Sequence, residues 1–301
     1  MSDIYFVLRA LKRRWLLSQE LELYLENLER GYKGESRFSV DILDGLTCAH
    51  VLLRDLRLPM DNNHFQLDAV LLSGKQMIIF EVKNWSGSFV YQDGQFMSRR
   101  SAKPYKNPTE QLGRCVSNMQ YLLRKWGYDF EVIGRVVFIN PSFYLYGAPL
   151  DQPFLFAPEL ADWVKGLNRF DGWVNERHRS LAALLVSKDC PAKVDFEILP
   201  EFTFNGLKKG LDCCSCGSFT TKVVGHRVRC LDCGAGERTE EAIGRMAEEL
   251  AQVFPKTKIT SRLVGEYCGG RLSRQRINRS LSGKYEGRGR TRGRHFQIGI
   301  K

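Results

Sequence analysis

Apolar side chains recur at helical spacing over residues 5–29 (Leu8, Leu11, Trp15, Leu21, Leu25, Leu28) with charges between them, which predicts an amphipathic helix. Gly31-Tyr32-Lys33-Gly34 predicts its end, and a second helix is expected from Glu35 to about Leu46. The pattern then shortens its period. Strands are expected near 49–58, 64–72, 77–85 and 88–98, with turn signals at Pro59–Asn63, Ser73-Gly74 and Asp93-Gly94. Asn107-Pro108-Thr109 opens a helix to about Trp126, and the continuous apolar run Val132–Ile139 reads as a buried strand. Leu160–Leu167 and Trp173–Val186 read as helices packing on the sheet, in a stretch (141–200) that otherwise shows no chemistry. Low complexity is confined to the Gly/Arg run at 287–294. Helix, strands, helix, strand is an α/β order with a mixed sheet.

Charges interrupt this pattern at one place. Between His64 and Trp85 two apolar strands flank a short turn, and Asp68, Glu81 and Lys83 fall within them. Glu81 and Lys83 are two apart and share a strand face. A hairpin turning about Gly74 and Lys75 sets Asp68 opposite Glu81, with Cβ atoms roughly 4.5–5.5 Å apart. Facing carboxylates repel unless a cation lies between them, and Mg²⁺ (or Mn²⁺) suits such hard oxygen donors. Lys83 is then placed to hold a water or a phosphate oxygen. Met77 to Phe80 and Val82 are apolar, so these charges sit at the end of a buried strand, where an unpartnered charge is costly. The set is the minimal equipment for metal-dependent phosphodiester hydrolysis, although the triplet alone is common on solvated strands.

Composition limits the alternatives. With 43% hydrophobic and 26% charged residues over 301 positions, the chain can form two or three packed domains. It contains no apolar run of about 18 residues, and its first ten have too short an apolar core for a secretory signal, so neither a membrane span nor export is expected. Five of the nine cysteines fall within 213–233, which favours metal binding in a reducing cytoplasm over disulfides. The net charge of +11 is uneven: residues 256–301 hold 13 Lys and Arg against Glu266 and Glu286, while residues 1–255 balance at 32 of each sign. A neutral body with a basic end predicts a polyanion partner, most simply nucleic acid.

At the charged hairpin a resemblance becomes specific. Gly34-Glu35, Leu67-Asp68, Phe80-Glu81-Val82-Lys83-Asn84-Trp85 with Gly87, Asn107-Pro108 with Gln111, and Val136-Val137-Phe138 resemble the nuclease-related domain (NERD) family over roughly residues 30–140. That family belongs to the PD-(D/E)xK restriction-endonuclease-like superfamily. The resemblance implies a restriction-endonuclease-like mixed sheet flanked by helices. It also implies that Glu35 joins Asp68, Glu81 and Lys83 in the site, with Gln111 in support. Ala69 departs from the family pattern, in which a histidine often follows the aspartate.

Cys213-x2-Cys216-x13-Cys230-x2-Cys233 has the spacing of a structural zinc ribbon, with β-prone segments (Thr220–Val224, Arg227–Arg229) around Gly225-His226. Cys214 is an alternative to Cys213. Four thiolates close the shell, which points to structural rather than catalytic zinc.

Glu240–Phe254 is an amphipathic helix stopped by Pro255. Ile259, Leu263 and Tyr267 predict a further helix ending at Gly269-Gly270, and Ser273 reads as the N-cap of another reaching about Leu281, with Leu272 and Ile277 as a hydrophobic staple. This is a helix-turn-helix arrangement whose second helix offers Arg274, Gln275, Asn278 and Arg279 to bases or phosphates. Arg288, Arg290, Arg292 and Arg294 alternate, so an extended wing would direct all four to one side for phosphate or minor-groove contact.

The sequence therefore predicts an N-terminal helix (1–30), a nuclease-like domain (31–200), a zinc ribbon (208–238) and a small basic, winged-helix-like module (239–301). The expected activity is metal-dependent hydrolysis of DNA, with a homodimer where both strands are cut. A non-catalytic DNA-binding or regulatory protein on a nuclease-like scaffold is the first alternative. An RNA-processing nuclease ranks lower, because the sheet shows no evident exposed aromatic platform for single strands.

Overall fold

The computed structural model describes residues 3–42, 45–61, 63–169, 172–190, 198–289 and 293–299. It divides into two compact units: Glu26–Ala192 (with Met1), and Ser2–Leu25 with Lys193–Lys301.

The first unit is built on a five-stranded mixed sheet. β1 (Val51–Met60), β2 (Asn63–Ser73) and β3 (Gln76–Lys83) run antiparallel in succession. Strands β4 (Gly87–Gln92), β5 (Gln95–Ser98) and β6 (Pro104–Tyr105) leave this sheet, and helix α3 (Pro108–Lys125) follows. β7 (Glu131–Phe138) then returns parallel to β3, and after β8 (Phe143–Tyr146), β9 (Phe154–Phe156) lies parallel to β7. α4 (Leu160–Arg169) and α5 (Glu176–Lys188) complete the unit. One sheet face packs Val70, Leu72, Met77 and Ile79 against Leu112, Met119 and Leu123 of α3 and Leu181 and Leu185 of α5. The other packs Leu71, Ile78, Phe80 and Val137 against Phe38, Leu160 and Val164. Two-sided burial accounts for the nearly continuous apolar reading of these strands.

Strand positions follow the sequence closely, with one split. The segment expected as a single strand over 88–98 is the hairpin β4–β5, turning on Asp93 (φ 51°) and Gly94 (φ 77°). With β6 and β8 it makes a second, four-stranded sheet in the order β6-β5-β4-β8, where β4 and β8 are parallel. Strands β8 and β9 lie in the stretch where the sequence showed little.

The N-terminal helix differs from expectation. It is two helices, α1 (Asp3–Arg14) and α2 (Gln19–Arg37), because Ser18 caps the second by accepting the Leu21 N–H. Gly31 and Gly34 do not break α2, which runs on into a π-helical turn at Phe38–Ile42 in place of a separate helix. A Cβ on Gly34 would lie 2.6 Å from Cβ of Asn84, so this glycine permits close packing and is not a terminator.

In the second unit, β10 (Thr221–Val224), β11 (Arg227–Cys230) and β12 (Gly236–Arg238) form a three-stranded antiparallel sheet. Helices α6 (Thr239–Val253), α7 (Ser261–Tyr267) and α8 (Arg274–Lys284) follow, then the hairpin β13 (Glu286–Arg288) and β14 (His295–Gln297). α7 starts later than expected: Thr260 caps it, and Ile259 instead bridges Phe296 of β14. Helix α1 packs on α6 through buried charge. Arg14, 3% exposed, donates to Glu249 Oε1 (2.6 Å), and Arg13 and Arg245 pair with fully buried Asp212 at 2.8 and 2.7 Å. No described helix is long and apolar enough to cross a membrane.

Candidate active site and metal centres

The β2–β3 ladder has the expected register, Ala69 facing Phe80 and Ser73 facing Gln76, but its last pair is Ala69–Phe80. Asp68 therefore stands one step beyond the ladder. Its Oδ2 accepts the Val82 N–H at 2.7 Å, so a side chain replaces the backbone acceptor. Opposite Asp68 on β1, Asp55 takes φ 49° and drops out of the β1–β2 ladder. Around this irregularity the inward face switches: Leu67 packs on the α3 side, Ala69 on the Phe38 side. The interruption aims Asp68 at the end of β3, and nothing in the strand pattern predicts it.

Glu81 is 3% exposed and faces α3, as Lys83 does. The Lys83 ammonium donates to Glu81 Oε1 and, at 3.4 Å, to Gln111 Oε1 in the first turn of α3. Two features seat that turn. Asn107 caps it, accepting from Thr109 N at 2.9 Å and donating to Gly94 O at 2.8 Å. Gly134 on β7 gives Leu112 room, since a Cβ there would lie within 3.0 Å of it.

Electrostatics join Glu35 to the group. Burial pushes its carboxyl up to about 7, and the Asp68 and Asp55 carboxylates push the same way. Glu81 is also pushed up to about 7, by burial first and then by Asp68, with Lys83 opposing. Burial raises Asp68 against the Val82 N–H and Lys83. Three carboxyls, with Asp55 adding to their repulsion, thus share one partly buried region with one lysine. Such an excess of negative charge fits a divalent cation, which needs only one or two carboxylates plus water and phosphate oxygens. The three do not close around a point: among the described residues, the only set of three or more His, Cys, Asp or Glu ligand atoms all within 4.8 Å of one another is made of cysteines.

Sequence reasoning gave no role to Asn84. It follows Lys83, donates to Arg30 O of α2 (2.8 Å) and accepts from Asn140 Nδ2 (3.0 Å). With Gly34 it fastens the helix that carries Glu35 to the strand that carries Glu81. The Asn-Trp after Glu-Val-Lys was visible in the sequence, but only the packing gives it a purpose.

The cysteine set is Cys213, Cys216, Cys230 and Cys233. Cys213–Cys233 and Cys216–Cys230 sulfur distances are both 3.6 Å. Tetrahedral Zn–S bonds of about 2.3 Å require sulfur separations of about 3.8 Å, whereas a disulfide requires about 2.05 Å. Cys214 is exposed and lies outside the set. Burial opposes ionisation of Cys213, yet the Cys216 and Ser215 N–H groups hold its thiolate and bring it down to about 7. The cluster is compatible with zinc.

On α8, Arg274, Gln275 and Arg279 are exposed. Asn278 is half-buried, and its Oδ1 accepts from Ser261 Oγ of α7 at 3.1 Å. The arginine run is not one strand. β13 ends at Arg288, Gly289 takes φ 80°, and β14 begins at His295. Arg288 lies 3.9 Å from Glu286, and Arg294 donates to Ser282 Oγ at 3.1 Å, while Arg290 and Arg292 lie outside the described residues. Arg276, given no role in the sequence, donates to Gly225 O in the β10–β11 turn at 2.9 Å and ties α8 to the cysteine-bearing sheet.

The mixed sheet thus gathers carboxylates and a lysine at the end of its central strand, β3. Residues 30–139 match the nuclease-related domain (NERD), so the chain carries that domain over this segment. No curated protein and no solved structure matches it.

Proposed function

We propose that the protein is a divalent-metal-dependent nuclease that hydrolyses DNA in its first unit and holds DNA with the helices of its second. The observation that carries this reading is the buried end of β3, where Glu81, 3% exposed, and Asp68 share one lysine and repel each other. Asp68 and Glu81 would hold Mg²⁺ or Mn²⁺, with Glu35 assisting through water. A bound divalent ion supplies Lewis-acid polarisation of the scissile phosphate and makes water more acidic there. Lys83, held between Glu81 and Gln111, orients the attacking water and offsets charge growing on phosphate oxygens. Asp68 keeps its orientation through Val82 N–H, and Asn84 keeps Glu35 in place.

The second unit carries the binding half of the reading. The order α6, Ile259, α7, α8, β13, β14 has the layout of a winged helix, with α8 as the helix that enters the groove through Arg274, Gln275 and Arg279. Zinc on the four cysteines would be structural and would hold the β10–β11 turn against which Arg276 rests. The test is a panel of plasmid and oligonucleotide substrates with Mg²⁺, Mn²⁺ or EDTA, comparing the parent with Glu81→Ala. Metal-dependent cleavage by the parent alone is expected; equal cleavage by both would assign the activity to another site or to a contaminant.

A further inference from the structure

The second sheet of the first unit has a use that the carboxylate site does not absorb. Its inner face is aromatic core: Phe89, Phe96 and Phe143 are buried around Trp85. Alternation along parallel strands β4 and β8 turns the intervening residues outward. Ser88 pairs with Tyr144 and Val90 with Tyr146, and Val90 also pairs with Met97 of β5. Tyr144 and Tyr146 are two apart on β8 and share this outer face, with 57% and 50% of their surfaces exposed. Large aromatic rings left this open on a regular strand stabilise the fold little.

One cationic group borders them, and three more follow it in the chain. The Arg99 guanidinium lies over the Tyr146 ring at 5.0 Å from its centroid, and the backbone N–H of Arg99 donates to Ser88 O at 2.9 Å. Residues 94–109 carry Arg99, Arg100, Lys103 and Lys106 and no acid. All four are exposed, and none has an acidic partner among the described residues. This basic stretch lies in a unit whose carboxylate-bearing end is acidic.

The platform is continuous with the catalytic edge. β3 and β7 end side by side at Lys83 and Phe138, and β4 and β8 begin side by side at Gly87 and Phe143. The four segments are joined where they cross by Asn140 to Asn84 (3.0 Å) and by Gly87 N to Ser142 O (2.8 Å). Ser88, the neighbour of Tyr144, is five chain steps from Lys83, a span of at most about 18 Å.

We infer that the outer face of the second sheet, Tyr144 and Tyr146 with Arg99, binds a single-stranded DNA segment next to the catalytic carboxylates by stacking its bases. Unstacked bases offer π-faces to the tyrosines, and Arg99, Arg100, Lys103 and Lys106 meet the phosphates. A duplex cannot use this face, because its bases are already stacked on one another. The occupant is an overhang, flap or opened end of the substrate. The inference deepens the nuclease reading and rests on its assignment of nucleic acid to this unit.

The experiment uses the full chain carrying Glu81→Ala, so that DNA stays intact. A blunt DNA hairpin is compared with the same hairpin bearing a six-nucleotide single-stranded tail that contains 2-aminopurine. The tailed DNA should bind more tightly, and the 2-aminopurine should be quenched on binding. Tyr144→Ala with Tyr146→Ala should cost about tenfold on the tailed DNA and nothing on the blunt one, the lower end of what a base–aromatic stack contributes. Tyr144→Phe with Tyr146→Phe keeps the rings and should restore both affinity and quenching, which separates stacking from misfolding. Equal binding of tailed and blunt DNA by the parent overturns the inference. So does an unchanged alanine pair, or one that only dissociates a dimer in sedimentation, since the face would then be a contact between chains. A parent that cleaves nothing with any metal, yet shows tyrosine-dependent tail binding, removes the hydrolytic reading and leaves the platform standing.

Discussion

Asp68 Oδ2 accepts the backbone N–H of Val82 at 2.7 Å, one step past the point where β2 and β3 stop pairing. The bond fixes the carboxylate of one strand to the chain of the next, between Glu81 and Lys83. Asp68→Asn can keep an acceptor for Val82 but loses the charge that would hold a cation. The expected result is a folded protein with cleavage reduced at least 100-fold at saturating Mg²⁺. A folded Asp68→Asn with near-parental rates would remove this residue from the metal site.

Glu81 presents a trade between stability and activity. Its carboxyl is buried and pushed up to about 7, so ionising it at pH 8 costs free energy. Glu81→Gln removes that cost with little change of shape, at the expense of the Lys83 ion pair. We expect the variant, with no Mg²⁺ present, to unfold at higher urea than the parent at pH 8, by about 1–2 kcal/mol, and to lose cleavage. A less stable variant would show that the pairing with Lys83 outweighs the burial of charge.

The same groups set a pH trend. Glu35 and Glu81 both sit near 7 in the folded chain, against an ordinary value near 4.5. Between those values the folded state holds protons that the unfolded state has released. The stability of the Mg²⁺-free protein is therefore greatest, as far as these groups decide, below about 4.5, and it falls as pH rises through 7. Metal binding competes with the same protons, so cleavage should rise over that interval. Urea titrations at pH 5.5 and 8 test the first statement. Parent and Glu35→Gln, Glu81→Gln double variant should differ in slope, and parallel behaviour would contradict it.

Gly34 and Asn84 supply a test of positioning. A Cβ at 34 would meet Cβ of Asn84 at 2.6 Å, with Ile139 3.4 Å away, so α2 must move off the sheet. Gly34→Ala is expected to cost about 1–3 kcal/mol and to lower kcat more than it weakens DNA binding, because Glu35 moves with the helix. Asn84→Ala should reproduce the loss of kcat with a smaller loss of stability.

Much of this arrangement was legible in the sequence because it rests on local pattern. The β2–β3 turn at Gly74, the cap at Asn107, the Cys-x2-Cys pairs and the cap at Ser273 each depend on a few neighbouring residues. What could not be read depends on distant ones. Gly34 resembles a helix breaker until Asn84 packs against it. The drop-out at Asp55 and Asp68 has no periodic signature. Tyr144 and Tyr146 fall in a four-residue strand that acquires a face only by pairing with β4, so the exposed aromatic platform, absent from the sequence reading, arises from topology.

Helix α8 separates residues that look equivalent in sequence. Arg274, Gln275, Asn278 and Arg279 all lie off its apolar edge, but Asn278 already accepts from Ser261 and is half-buried. Arg279 is exposed and has no partner among the described residues, so its guanidinium is free for a phosphate or a guanine edge. Arg279→Ala should weaken binding to blunt duplex by about five- to tenfold and lower the dependence on log salt by about one unit. Asn278→Ala should change affinity by less than twofold, with its effect on the α7–α8 packing instead. Arg276 acts through a third route. Its bond to Gly225 O joins α8 to the β10–β11 turn, so Arg276→Ala should weaken binding without changing the salt slope. Removing metal from the cysteines should act the same way: Cys213→Ser loses the ion and binds DNA weakly, while Cys214→Ser retains both. Fluorescence anisotropy from 50 to 300 mM salt, with zinc content measured on each sample, distinguishes these cases; unchanged affinity in all five variants would place DNA binding elsewhere on the chain.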